Sequence, residues 1–274
     1  MKKVAVIGLG IIGGSICAAL TKAGYVVDGF DKEETVLQYA ETVGYIRARG
    51  TILVDYDVVF IALPPKATIE YLTTAQFKDG ALVADICGVK GVVEKAVYGQ
   101  LRNYRYVGLH PMAGKETSGI ASASADLFKK ANLILTRAPQ TQEKDVLEVK
   151  TYVKAMGFGE IVECSAVMHD QKIALTSQLA HIVSNAYVKS PQVQDCDGFT
   201  GGSFQDMTRI AGVDEKIWTQ LYMANRTCLT AELEGLIKQL TVYLNALKAG
   251  DESALSDALK AGRLIRETIK RGND

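Results

Sequence analysis

Neither sign of charge predominates in this 274-residue sequence: 31 basic and 31 acidic side chains cancel. No bulk field attracts nucleic acid or an anionic membrane, and neither is expected as a partner. Long apolar runs are missing too. The densest, Val58 to Leu63, is strand-sized and falls far short of the ~18 residues that span a bilayer. The five cysteines (Cys17, Cys87, Cys164, Cys196, Cys228) are odd in number and scattered, with no C-x-x-C pair. That argues against a disulfide framework or a metal site and for reduced thiols in the cytoplasm. The opening Met-Lys-Lys resembles a signal n-region, but glycines and a strand pattern follow, with no small-residue cleavage site. Repeats and low-complexity tracts are also lacking. Histidine is scarce, with only His110, His169 and His181, so few positions can support imidazole chemistry.

What is present is globular: 48% hydrophobic and 23% charged residues, enough for one large or two modest domains. The first half alternates continuous apolar runs with amphipathic stretches. Val4–Gly8, Val26–Asp31, Val58–Leu63, Leu82–Asp85 and Tyr106–Gly108 read as strands covered on both faces. Ile12–Lys22, Glu33–Val43 and Val92–Leu101 between them have the length of crossover helices. Leu133–Thr136 and Ile161–Cys164 extend the sheet, with Gln142–Met156 helical between them. After about Ser165 strand signals fade. One helix is expected from His169 to Val188, a second from Asp214 to about Leu247, and a third capped by Asp251. Leu229, Leu233, Leu236, Leu240, Tyr243 and Leu247 form a seam on the second. It packs either within the chain or against a second subunit. The expected organisation is α/β: a doubly wound dinucleotide-binding (Rossmann) domain over residues 1–165, then an all-helical domain over 166–274.

The nucleotide signal is Gly8-Leu9-Gly10-Ile11-Ile12-Gly13, directly after a strand and at the mouth of a helix. The first glycine allows the turn, the second lets backbone approach a pyrophosphate, and the third lets helix and strand pack closely. A bare G-x-G-x-x-G is weak; the strand–turn–helix context strengthens it. Asp31 ends the next strand, eighteen residues after Gly13. A carboxylate there accepts from the ribose hydroxyls of NAD and repels the 2′-phosphate of NADP. Lys32 beside it leaves some room for NADP, and FAD is the weaker alternative. Leu63 and Pro64 end the third strand, where strand ends line the ligand crevice.

His110 lies just past a predicted strand, in Gly108-Leu109-His110-Pro111-Met112-Ala113-Gly114. Beside a nicotinamide, an imidazole there can take a hydroxyl proton as the carbon loses hydride. Ser177 and His181 are four apart on a helix and can face one ligand. His169, next to Asp170, reads as a cap or junction residue. Gly201-Gly202-Ser203-Phe204-Gln205-Asp206-Met207-Thr208-Arg209 pairs a glycine-rich loop with an Asp-x-x-Arg turn. It can present the Arg209 guanidinium to a carboxylate, with Asp206 orienting it. An ordinary surface ion pair is the alternative.

Together these motifs resemble the prephenate/arogenate dehydrogenase family of tyrosine biosynthesis, in a monofunctional form. The resemblance spans nearly the whole chain. It rests on the glycine loop, Asp85-x-x-Gly88-Val89-Lys90, the HPMAG run continuing to Glu116-x-Ser118-Gly119, His169-Asp170, and Gly202-x-Phe204-x-Asp206-x-Thr208-Arg209. It implies NAD-dependent oxidative decarboxylation of a cyclohexadienol. The family's catalytic histidine matches His110 and its carboxylate-binding arginine matches Arg209. Ser177 and His181 match contacts to the substrate side chain, and Glu116 and Asp206 match a gate around Arg209. Gly88, at the cofactor's edge, departs from the serine that several members use to hold the histidine. Cys87, a backbone group or water is then expected to substitute. Lys115 replaces an uncharged residue and is expected to add attraction for a dianion. A homodimer through the C-terminal helices is expected.

The residues leave prephenate against arogenate open, with a lean to prephenate because His181 carries no fixed negative charge to favour an ammonium. A small reductase like pyrroline-5-carboxylate reductase, or a non-catalytic NAD sensor, would need neither His110 nor Arg209.

Overall fold

The structure, a computed structural model, describes residues 2–115 and 117–269. Strand β1 (Val4–Ile7), helix α1 (Ile11–Lys22), strand β2 (Val27–Phe30), helix α2 (Glu34–Thr42) and the short β3 (Ala48–Arg49) come first. Then follow β4 (Val58–Ile61), α3 (Pro65–Thr74), β5 (Leu82–Asp85), α4 (Gly91–Tyr98) and β6 (Arg105–Pro111). β7 (Leu133–Thr136), α5 (Glu143–Ala155) and β8 (Ile161–Cys164) complete one eight-stranded sheet in the order β3-β2-β1-β4-β5-β6-β7-β8. Every pairing is parallel except β6 with β7, which run antiparallel. The order reverses between β1 and β4, and there a doubly wound sheet opens its ligand crevice at the strand carboxyl ends.

The apolar runs are continuous because both faces are covered. Val4, Val6, Phe60, Leu82 and Ala84 pack in a core on one side of the sheet. Their alternates Ala5, Ile7, Val59, Ile61 and Val83 pack in a second core on the other. The period-two geometry of a strand sends successive side chains to opposite layers, so apolar residues fill both faces of β1 and β4. Two elements escape the periodicity reading. β3 is too short to carry a pattern, and α3 begins at the proline pair, with Pro65 in the first turn, where its missing N–H costs nothing.

After β8 only helices are found among the described residues: α6 (Ala166–Ile173), a π-helical turn (Ala174–Leu179), α7 (Ala180–Tyr187), α8 (Gly202–Thr208), α9 (Glu215–Ala224), α10 (Arg226–Ala249) and α11 (Glu252–Thr268). The helix expected from His169 starts one turn earlier. Ser165 caps it by accepting from the Met168 N–H, and the exposed Val167 and Met168 blur the apolar stripe at that end. It is also not regular, because the π turn interrupts it. The single helix expected from Asp214 to Leu247 is two, broken at Asn225. The Asn225 amide reaches away to the Asp170 carbonyl and the Gln178 Oε1, both at 2.8 Å. That tertiary demand leaves no trace in the spacing of apolar residues. The turn around Asp206 is a helix, α8, and His110 lies inside β6 rather than past it.

The chain forms two compact units, residues 1–226 and 227–274. In the first, helices after β8 pack with the sheet. In the second, α10 and α11 are joined by the Tyr243 hydroxyl donating to the Ala258 carbonyl at 3.3 Å. Asp251 caps α11 by accepting from the Ala254 N–H, as expected. Ile237, Leu240, Leu244 and Leu247 on α10, and Leu264 and Ile265 on α11, are exposed. Among the described residues no helix is long and apolar enough to cross a membrane.

Candidate active site

The glycine loop joins β1 to α1. Gly8 has φ of +85°, and a Cβ on it would lie 2.6 Å from both the Ala62 carbonyl oxygen and Leu63 Cδ2. A Cβ on Gly13 would lie 1.8 Å from the Gly8 carbonyl oxygen. Those two glycines are therefore required by packing. Gly10 is different: nothing lies within 4 Å of where its Cβ would be. It is the residue before α1, which begins at Ile11 with no side-chain cap. A helix N-terminus with free donors and positive partial charge suits a phosphate.

Asp31 lies against the same loop. Its carboxylate accepts from the Leu9 N–H at 2.7 Å and the Glu33 N–H at 3.0 Å, which ties the end of β2 to the glycine loop and leaves lone pairs for further donors. Lys32 is exposed and its ammonium lies 3.6 Å from Glu33. Leu63 and Pro64 sit at the end of β4, where the Thr68 hydroxyl donates to the Leu63 carbonyl and holds the turn into α3.

Next to the crevice, the loop from β5 to α4 is built on buried charge. The Lys90 ammonium and the Asp85 carboxylate meet at 2.5 Å with no exposure of either side chain, and Asp85 also accepts from the Tyr106 hydroxyl and the Cys87 N–H. This explains the Asp and Lys of the D-x-x-G-V-K segment: they fix the loop that carries Gly88. A Cβ on Gly88 would lie 3.6 Å from His110 Nε2 and 3.3 Å from Leu221 Cδ2. Gly88 is thus the floor beneath the imidazole.

His110 hydrogen-bonds His169 through Nδ1 to Nε2 at 2.8 Å, and His169 Nδ1 meets the Asp170 carboxylate at 2.7 Å. Burial, with the Lys90 ammonium nearby, holds His110 well below the ordinary histidine range. The imidazole is therefore neutral and able to accept a proton at neutral pH. His169, expected as a cap or junction residue, instead touches His110.

Ser177 lies on the π turn and His181 just beyond it. His181 Nδ1 donates to the Ser177 carbonyl at 2.9 Å, which leaves Nε2 as an acceptor in the neutral ring. Its face packs on Trp218 with ring centroids 4.0 Å apart. Trp218 shares α9 with Leu221, which lies against Gly88, while Gln178 donates to the Leu221 carbonyl. Trp218 and Leu221 are three residues apart, so one face of α9 meets both Gly88 and His181. Trp218, Leu221 and Asn225 escape the sequence reading. The single tryptophan of the chain was the one available signal.

Arg209, Asp206 and Gly202 are exposed on or beside α8. This helix docks on α7, which carries His181: Ser184 Oγ donates to the Met207 carbonyl at 2.7 Å, and Asn185 to the Ala211 carbonyl at 3.1 Å. Lys115 lies past β6 and donates to the Ser122 carbonyl at 3.0 Å. Glu116 falls outside the described residues. Among those described, no group of three or more His, Cys, Asp or Glu side chains could hold a metal ion.

Comparison with known proteins finds relatives along most of the chain. Residues 16–162 match the model described as prephenate dehydrogenase, nucleotide-binding domain, and residues 165–261 match the one described as prephenate dehydrogenase, dimerization domain. A prephenate dehydrogenase of Lactococcus lactis is 29% identical over 98% of this chain and 78% of its own. A cyclohexadienyl dehydrogenase of Zymomonas mobilis is 28% identical over 100% of this chain and 98% of its own. The crystal structure of prephenate dehydrogenase from A. aeolicus, in complex with hydroxyphenyl propionate and NAD+, superposes with a TM-score of 0.86 at 28% identity, covering 98% and 99% of the two chains.

Proposed function

The chain belongs to the prephenate dehydrogenase family, and from that premise we propose that it is an NAD-dependent oxidoreductase converting prephenate to 4-hydroxyphenylpyruvate and carbon dioxide. The crevice fits NAD: Gly8 and Gly13 make the cradle, the open space at Gly10 and the start of α1 take the pyrophosphate, and Asp31 takes the ribose. Leu63, Pro64 and Gly88 border it. Bound there, NAD would supply the hydride acceptor for C4 of the substrate.

The chain supplies the rest. His110 Nε2 takes the C4 hydroxyl proton as that carbon loses hydride, which leaves a carbonyl. The bond from ring to carboxylate then breaks, its electrons make the ring aromatic, and the oxygen takes its proton back from His110. Arg209 binds a substrate carboxylate through paired N–H donors, a geometry suited to guanidinium. Asp206 gates Arg209, Gly202 keeps the approach to α8 open, and Lys115 adds positive field. Ser177 and His181 read the side chain.

The observation that carries this reading is His110: a neutral imidazole whose Nε2 lies over Gly88 beside the crevice while its Nδ1 is held from behind. In His110→Asn, kcat should fall by roughly 10²–10⁴-fold with KM little changed, followed by NADH absorbance. Full activity in that variant would remove the proposed base. A second reading, arogenate as substrate, is favoured by His181. Its Nε2 is left as an acceptor by the bond to Ser177, which suits an ammonium donor. Comparing kcat/KM for the two substrates decides between them.

The domain boundary proposed is 165/166, between the last strand and α6. The exposed leucines and isoleucines of α10 and α11 support a homodimer formed through these helices, with a cytoplasmic site of action where the free thiols stay reduced.

A further inference from the structure

Two titratable groups in a row, His169 and Asp170, lie behind the proposed base, on a helix distant from it in sequence. Asp170, on α6, accepts from the Lys90 N–H at 2.9 Å and the Gly91 N–H at 2.8 Å. It therefore sits at the N-terminus of α4, where backbone donors and the helix dipole hold a negative charge. A Cβ on Gly91 would come within 2.8 Å of the carboxylate, so glycine is needed for this approach. The Asp170 carboxylate also meets His169 Nδ1, and His169 Nε2 meets His110 Nδ1. The His169 side chain is fully buried.

These bonds fix the protons. A carboxylate only accepts, so His169 carries its proton on Nδ1 and presents a lone pair at Nε2. That lone pair demands a proton on His110 Nδ1. The lone pair of His110 is then at Nε2, beside Gly88, which has no side chain to hold the ring from that face. We propose that His169 and Asp170 are positioning residues that set the tautomer of His110, with α4 as the anchor of the relay. This rests on His110 being the base, as proposed above. Asn225 steadies the arrangement from the other side by donating to the Asp170 carbonyl and to Gln178.

The test reads protons as well as rates. With three histidines in the chain, nitrogen NMR of histidine-labelled protein distinguishes each ring, assigned through single variants. In the wild type, His110 is expected to carry its proton on Nδ1. In Asp170→Asn the amide donates to His169 and reverses both rings, so the proton should move to His110 Nε2. There kcat should fall by about 10²–10⁴-fold, as when a catalytic imidazole is held in the wrong tautomer, with substrate KM within about threefold. At position 169 the Asp170 anchor is untouched. His169→Gln can accept from His110 Nδ1 through its carbonyl and should retain kcat within about tenfold, whereas His169→Leu should lose about 10²-fold or more. Equal activity of the Gln and Leu variants overturns the proposal, and so does an unchanged His110 tautomer in Asp170→Asn. If Asp170→Asn fails to fold, the pair at 169 decides. Full activity of His110→Asn would instead refute the base while the NMR still reads the relay.

Discussion

Two glycines in one loop should fail in different ways when each gains a methyl group. At Gly10 nothing lies within 4 Å of the added Cβ, and its φ of −67° is open to alanine. Gly10→Ala should fold normally, even gaining about 0.4–1 kcal/mol through a less flexible unfolded chain. The methyl occupies the space through which a pyrophosphate must approach α1. Losing one hydrogen bond to a charged group there costs about 1.5–3 kcal/mol, or roughly a 10- to 150-fold weaker Kd for NAD. Gly13→Ala is the opposite case. Its Cβ would lie 1.8 Å from the Gly8 carbonyl oxygen, a backbone atom with no rotamer to change. Relief requires α1 to move off β1, at about 1–3 kcal/mol of stability, and NAD affinity should fall with it. Thermal unfolding without NAD, paired with calorimetric NAD titration, separates the two. Gly10→Ala with unchanged NAD affinity, or with a Tm loss equal to that of Gly13→Ala, would refute the assignment of Gly10 to binding and Gly13 to packing.

Three further outcomes follow from the same geometry. Burial holds His110 well below its ordinary value of 6.5, so the unfolded chain takes up the proton first. The stability contributed by its neutral form is full above about pH 6.5 and declines as pH falls toward the folded value. The acid limb of kcat should likewise lie below pH 6.5, and a half-maximal rate at or above that pH would contradict it. Lys90→Met leaves Asp85 without its buried partner and should cost about 3–5 kcal/mol in urea unfolding; a loss under 1 kcal/mol would show the pair to be incidental. Arg209→Ala should raise substrate KM about tenfold or more, the worth of a charged hydrogen bond, and an unaltered KM would count against the carboxylate clamp.

The amino-acid order alone determined the sheet's buried strands, since apolar runs at Val4–Ile7, Val58–Ile61 and Leu82–Asp85 leave no other packing than a covered parallel sheet. It also determined the glycine loop and the residue types of the site, because a turn at positive φ and a proton acceptor near neutrality each admit few side chains. Local order could not show that His169 lies behind His110, that Asp170 caps α4, or that Asn225 breaks a helix to reach Gln178. Each of those contacts joins residues 47 to 80 positions apart. Periodicity records which face of an element is buried and is silent on what that face meets. Only the assembled fold decided which lone pair of His110 is turned toward the crevice, because a proton's place on an imidazole is set by the partner on the opposite nitrogen.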